Sequence, residues 1–226
     1  MEQTMYHMLL RISLFQGMSR TELFEVLEQT TFHFRKVEDG KIVFQQGELC
    51  GELAFLMSGT LVADTLVPQA NFTFSEEFST HMIIEPQSLF GKQPCYKSTY
   101  TAKGDVSLLC IDKREVYELL EAYEIFRINL INTLCSKAEN LHERLWTIAP
   151  HGLEGRIVLF VRSLCTTYQG TKVLRIKMED LARLFDDTRL NVSRILNKWQ
   201  SEGIIEMRRK EFVFHEVEKL FSRMCL

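Results

Sequence analysis

A chain of 226 residues, 46% hydrophobic and 25% charged with a net charge of −3, has the length and composition of a folded protein of one large domain or two smaller ones. It holds no run of eighteen apolar residues to span a membrane, and its six cysteines at 50, 95, 110, 135, 165 and 225 form neither a C-x-x-C pair nor a Cys/His set with zinc spacing, so reduced thiols and no metal are expected. The charge is divided: residues 1–150 carry 13 Lys and Arg against 20 Asp and Glu, and residues 151–226 carry 14 against 10, so a basic C-terminal third follows an acidic body and suits a polyanionic partner.

In chain order, the opening MEQTMYHMLLRISLFQGMSR has no basic start, long apolar core or small-residue cleavage site, which predicts a cytoplasmic protein. Residues 5–30 read as short helices. Leu23, Val26 and Leu27 fall at helical spacing, with Ser19 as N-cap and Glu22 completing a capping box. From 31 to about 112 the pattern turns to strands: GKIVFQQGE, LAFLMSGTLVAD, FTFSEEFSTHMII and VSLLCID, punctuated by glycines, predict a sandwich or barrel. Ser58-Gly59 reads as a hairpin turn, and SLFGKQPCY as a turn broken by Gly and Pro. Residues 113–148 return to a helical period. Ile131, Leu134, Ala138, Leu141, Leu145 and Ile148 step 3, 4, 3, 4, 3, between polar shoulders that include Lys137, Glu139, His142 and Arg144. A narrow apolar seam with charged flanks predicts a dimer interface. Ala149-Pro150-His151-Gly152 then predicts a hinge.

The segment 178–199, MEDLARLFDDTRLNVSRILNKW, holds two amphipathic halves. Met178, Leu181, Ala182 and Phe185 lie at i, i+3, i+4, i+7, and Val192, Ile195, Leu196 and Trp199 repeat that spacing. Asp186-Asp187-Thr188 separates them and offers an N-cap, so the pair reads as a helix-turn-helix. Asp186 stands at the turn, where Asp tolerates a left-handed backbone. Gly203 stops the second helix. Two strand-like runs around RRKE then form a hairpin, a wing with Arg208, Arg209 and Lys210 at its tip. Directly opposite the apolar face of the second helix lie Leu190, Arg194 and Asn197, flanked by Arg189, Asn191, Ser193 and Lys198, and of these Arg189, Leu190, Asn191 and Arg194 face the major groove. Arg suits guanine O6 and N7, Asn suits adenine, and an apolar side chain suits the thymine methyl, so these four are the candidate base-reading residues. Thr188, Ser193, Lys198, Arg208 and Arg209 are the candidates for the phosphate backbone. No G-x-S-x-G, P-loop, H-E-x-x-H or facing pair of carboxylates is present, so no catalytic residues are assigned and no enzyme is expected.

The whole chain resembles the Crp/Fnr superfamily of bacterial transcription regulators. The resemblance rests on LFQGMSRTELFEVL, GKIVFQQGE, LAFLMSGTLVAD, SLFG, SLLCIDKREVYELL and, most specifically, TRLNVSRILNKWQSEGII. It implies an α+β fold: an N-terminal antiparallel β-roll (a double-stranded β-helix, jelly-roll-like) as sensor domain over 1–112, a long dimerisation helix over 113–148 and a C-terminal winged helix-turn-helix domain over 149–226. It implies a homodimer, clasped by Ile131, Leu134, Ala138, Leu141 and Leu145, that binds double-stranded DNA at a near-palindromic operator and meets RNA polymerase, with no membrane partner. The alternative is a ligand-binding regulatory module whose C-terminal domain binds protein. The family's cyclic-AMP binders carry Gly-Glu and then Arg-Ser in the ligand cassette. Here FGKQPCYKSTYTA offers Gly91-Lys92 and Lys97-Ser98, so the resemblance places an effector pocket at Gly91, Lys92, Lys97, Ser98 and Thr99 and speaks against cyclic AMP as the effector. The first cysteine is Cys50, so the clustered N-terminal cysteines of the iron–sulfur members are missing and no such cluster is expected.

Overall fold

The computed structural model describes residues 2–79, 81–146 and 152–222. They fall into two compact units, one of Met1–Leu61 with Phe78–Leu145 and one of Val62–Glu77 with Trp146–Leu226. The segment 62–77 thus groups with the C-terminal part of the chain, which departs from the contiguous boundaries expected from the sequence.

In the first unit, α1 (Glu2–Leu9) and a single 3-10 turn at Ser13–Phe15 lead to α2 (Arg20–Gln29). The capping box forms as expected. The Ser19 hydroxyl accepts from the Glu22 amide at 3.2 Å, and the Glu22 carboxylate accepts from the Ser19 amide at 2.7 Å. Six strands come next, of which the end of β3 and most of β4 belong to the second unit: β1 (Phe32–Val37), β2 (Ile42–Phe44), β3 (Glu52–Val67), β4 (Phe72–Ser79), β5 (Met82–Ile84) and β6 (Thr99–Asp112). β6 pairs antiparallel with β1, from Phe32↔Ile111 to Val37↔Val106, and with β2 at Ile42↔Thr101, while β5 pairs with β3 at Ala54↔Ile84. Leu53, Ala54, Phe55 and Leu56 are buried in succession on β3, so both faces of the strand are covered there.

Two expectations are corrected by the structure. Ser58-Gly59 makes no hairpin but lies inside β3. Gly59 has φ +91°, and a Cβ there would sit 2.4 Å from the Asp105 carbonyl oxygen on β6. The glycine marks a close backbone approach rather than a turn. The chain reverses later, at Pro68–Ala70, where Asn71 takes a left-handed φ of 53° before β4. Gly59→Ala is therefore expected to lower stability by about 1–3 kcal/mol, read as a shifted urea midpoint; an unchanged midpoint would contradict the close approach. The helix expected over 113–148 is two helices, α4 (Lys113–Ala122) and α5 (Glu124–Trp146). Tyr123, buried and extended at φ −119° and ψ 109°, separates them. α5 is fixed at its start: Asn129 Nδ2 donates to the carbonyls of Leu14 and Gln16 at 3.1 and 2.9 Å, and Phe126 packs on Phe15 with ring centroids 5.1 Å apart.

The second unit adds α6 (Leu153–Leu164), β7 (Lys172–Arg175), α7 (Met178–Leu184), α8 (Arg189–Ser201), β8 (Glu206–Arg208), β9 (Glu211–Phe214) and α9 (Val217–Phe221). β8 and β9 form the wing hairpin, in register from Glu206↔Val213 to Arg208↔Glu211. β7 lies between β9 and β4, with pairs Leu174↔Phe212 and Phe74↔Leu174. Within this unit the hairpin 62–77 completes the sheet of the winged helix. Phe72 and Phe74 join Ile157, Val161, Leu174, Leu196, Trp199 and Phe214 in one core. Arg175 ties the strands together, 3.2 Å from Asp64 and 3.1 Å from Glu211. In the same sheet Lys172, fully buried, meets Glu76 at 2.9 Å. The hinge expected at 149–152 lies mostly outside the described residues; only Gly152, at φ +91° before α6, is described.

Candidate nucleic-acid interface and sensor cassette

The helix-turn-helix is built by α7 and α8 as the apolar spacing requires. Leu181, Ala182, Phe185, Val192, Leu196 and Trp199 are buried between the helices and the sheet. Asp186 takes the left-handed turn at φ 48°. Asp187 organises the start of α8: its Oδ1 accepts from the Thr188 amide at 2.7 Å and from Asn191 Nδ2 at 2.8 Å. Thr188 is the N-cap, its hydroxyl accepting from the Asn191 amide at 3.2 Å. Arg156 braces the turn from α6, donating to the Phe185 carbonyl at 2.8 Å and reaching Asp187 at 3.4 Å. The Asn191 amide, then the Thr188 backbone and the Arg156 charge, hold the Asp187 carboxyl below its ordinary range. Its support of the turn is thus present above that ordinary range and is lost as pH falls through the lowered value.

The face of α8 opposite the core is presented as expected. Arg189, Leu190, Asn191 and Arg194 are exposed, Leu190 at 60%. The Asn191 side chain is partly committed to Asp187, and Arg189 lies 3.5 Å from Glu179 across solvent, a weak attachment. The backbone candidates divide. Arg209 is exposed in the wing turn beside Lys210, which sits at φ 62°. Arg208 is held in a fork by Glu206 at 2.8 and 3.2 Å. Lys198 is 3.3 Å from Glu154, whose carboxylate also accepts from the Trp199 indole at 2.8 Å. Ser193 is half-buried and accepts from Asn197 at 3.3 Å. Arg208 and Lys198 therefore reach a phosphate only by leaving a carboxylate. The bracing by Arg156 and Glu154 was not visible in the sequence, because Phe185 and Trp199 lie 29 and 45 positions away; Asp187 stands in the stretch expected to cap the helix, and Thr188 takes the cap.

Of the expected seam, Ile131, Ala138 and Leu141 are exposed on α5 and Leu134 is half-buried. Leu145 lies in the helix but its side chain is outside the described residues, as is all of Ile148. Ile128, also exposed, extends the stripe toward the start of the helix.

The five residues expected to line an effector pocket lie ahead of β6 and at its first residue. Gly91 and Lys92 are exposed, and Gly91 stands close to the Gln87 carbonyl at the end of the short helix α3 (Pro86–Leu89). Thr99 accepts from the Gln46 amide at 3.1 Å. Lys97 turns its side chain out, while its amide and that of Ser98 turn inward to Glu85. Glu85 is the residue that sequence reasoning missed. It is buried, at φ 38°, and its carboxylate accepts from the Lys97 amide at 2.8 and 3.0 Å, the Ser98 amide at 3.1 Å, the Tyr100 hydroxyl at 3.1 Å and the Ser88 hydroxyl at 2.8 Å. Among the described residues no cluster of His, Cys, Asp or Glu could hold a metal ion, and no helix is long and apolar enough to cross a membrane.

Residues 34–123 match the family model of the cyclic nucleotide-binding domain, and residues 155–223 match that of the Crp-like helix-turn-helix domain. A transcriptional regulator of the Crp/Fnr family from Eubacterium rectale is similar over 96% of this chain and 99% of its own, at 17% identity and a TM-score of 0.52. The sensor domain of the transcriptional regulator DNR from Pseudomonas aeruginosa is similar over 67% of this chain and 98% of its own, at 22% identity and a TM-score of 0.54. At these identities the two likenesses show the fold. No curated protein matches the chain. With the two domain models in this order over more than two thirds of its length, the chain belongs to the Crp/Fnr superfamily of DNA-binding transcription regulators.

Proposed function

We propose that the protein acts as a homodimer that reads a near-palindromic operator in double-stranded DNA through α8. The observation that carries this is the division of α8 itself: Val192, Leu196 and Trp199 are buried, while Arg189, Leu190 and Arg194 stand out to solvent on the opposite side. A helix held on one face and bearing two arginines and an exposed leucine on the other suits the edges of bases in a major groove. Arg189, Leu190 and Arg194 read bases. Asn191 contributes the part of its amide that Asp187 does not hold. Thr188, Ser193 and Arg209 contact phosphates, with Lys198 and Arg208 joining when they exchange a carboxylate for a phosphate. The exposed apolar stripe Ile128, Ile131, Ala138 and Leu141 is the surface for the second copy. Contact with RNA polymerase, in the cytoplasm, belongs to the same reading.

Selection of bound duplexes from a random pool, followed by titration of Arg194→Ala, tests it. The variant is expected to lose about 1–3 kcal/mol on the selected operator, about 5- to 150-fold, and to relax its sequence preference. Affinity should also fall steeply with salt as phosphate contacts release counterions. Equal loss on random DNA would reduce Arg194 to a phosphate contact. Salt-insensitive binding, to protein in place of DNA, would overturn the reading.

A further inference from the structure

Five hydrogen bonds converge on the Glu85 carboxylate, two of them to one backbone amide and one to its neighbour. Successive backbone N–H groups pointing at one small anion form the concavity that phosphates and carboxylates occupy in proteins. Here the anion is covalently part of the chain. We propose that Glu85 is a built-in anion of the sensor cassette: it occupies the Lys97 and Ser98 amides that a nucleotide phosphate would need, so the cassette takes no phosphate-bearing ligand while Glu85 is in place. The inference rests on residues 34–123 being a sensor domain of the cyclic-nucleotide type.

Three observations carry it. First, the donors are engaged. A carboxylate offers about four lone-pair sites, and Lys97, Ser98, Tyr100 and Ser88 fill them. Second, the backbone is bent to put the carboxylate there. Glu85 sits at φ 38°, a left-handed conformation uncommon for a side chain other than Gly, Asn or Asp, and such strain persists only where the surroundings over-determine it. Third, the Glu85 charge acts on a cation of the same unit. Lys137 on α5 is half-buried; burial pushes its amine down, and the Glu85 charge pushes it back up, so the two interact. Lys92 and Lys97, the two cations expected at the pocket, are both exposed. An arriving phosphate would meet a buried carboxylate and two amides already bonded to it.

The test is calorimetric titration of the full-length protein with cyclic AMP, cyclic GMP and inorganic phosphate at millimolar concentration, for wild type, Glu85→Gly and Glu85→Gln. Wild type is expected to bind none of the three. Glu85→Gly relieves the positive φ and vacates the amides, so it should gain affinity for phosphate or a cyclic nucleotide by tenfold or more over the wild-type limit. Glu85→Gln keeps the shape of the side chain but turns an NH2 toward donors, so it should show a smaller gain and serves if the glycine variant does not fold. A micromolar cyclic nucleotide complex of wild type would overturn the proposal, because the ligand would then bind with Glu85 present. Folded variants as unresponsive as wild type would also overturn it and leave Glu85 a loop anchor only. Operator binding is measured on the same wild-type sample, so a protein that fails to bind DNA is recognised as a failure of the regulator reading and not of this one.

Discussion

Glu76→Ala is expected to destabilise the winged-helix unit by about 3–5 kcal/mol, the cost of breaking a buried ion pair from one side. Lys172 is 0% exposed, its amine 2.9 Å from Glu76 and 2.8 Å from the Thr167 hydroxyl. Glu76, 5% exposed, accepts in addition from the Thr166 amide at 2.8 and 2.9 Å and from the Thr167 amide at 3.4 Å. Removing the carboxylate leaves a buried ammonium without its counter-charge and two amides without their acceptor. Removing the amine is milder: Lys172→Met leaves a carboxylate that still has two amide donors. The paired change Glu76→Leu with Lys172→Met removes both charges and should recover part of the loss, since apolar replacement of a buried pair is often close to neutral. Trp199, fully buried in this unit, reports the transition by fluorescence in a Trp146→Phe background during urea unfolding. A Glu76→Ala protein within about 1 kcal/mol of wild type, the worth of an exposed pair, would mean that water or a rearranged strand answers the Lys172 charge. The pair stands in register between β4 and β7, so it also measures how firmly the hairpin 62–77 belongs to the C-terminal core.

Legibility in the sequence tracks the range of the interactions. The capping box at Ser19 and Glu22, the apolar spacing of α7 and α8 and the left-handed turn at Asp186 involve partners within a few residues, and all three stand in the structure. Gly59 misleads because a hairpin turn and a close strand approach both ask for a residue without Cβ. Only the position of Asp105 on β6 separates the two. The break at Tyr123 has no Gly or Pro to announce it, and the residue there is buried with an extended backbone. β7 and its pairing with β4 join segments about a hundred positions apart, a distance at which no local pattern sets the register. The cassette is hidden for a similar reason. Gly91 and Lys97 draw attention as side chains, whereas the structure uses the Lys97 backbone, and the acceptor is Glu85, twelve residues earlier.

Ile131→Glu together with Leu141→Glu is expected to convert the protein to a monomer and to lower its affinity for the full operator by about 100-fold or more. α5 is buried at Phe126 and Leu130 and then emerges: Ile131 is 51% exposed, Leu141 is 58% exposed, and Ala138 lies exposed between them. Large apolar side chains repeated on one stripe of a solvated helix, between Lys137, Glu139, His142 and Glu143, match the seam of a two-stranded coil better than a stray surface residue. A carboxylate at each position places like charges opposite each other across a two-fold axis and removes the apolar area that would be covered. The helix itself should survive, because Glu is a good helix former and both positions face solvent in the single chain. Binding to an operator would then be limited to one half-site at a time. The gain from linking two reading helices, usually about 10²–10⁴-fold, would be lost with no change at Arg189, Leu190 or Arg194. Sedimentation equilibrium and titration of half- and full-site duplexes separate the effects: the variant should bind both duplexes alike, and wild type should prefer the full site. A variant that stays dimeric would move the interface off this stripe. A monomer that holds the full site as tightly as wild type would show that one copy suffices, and the near-palindrome would lose its reason.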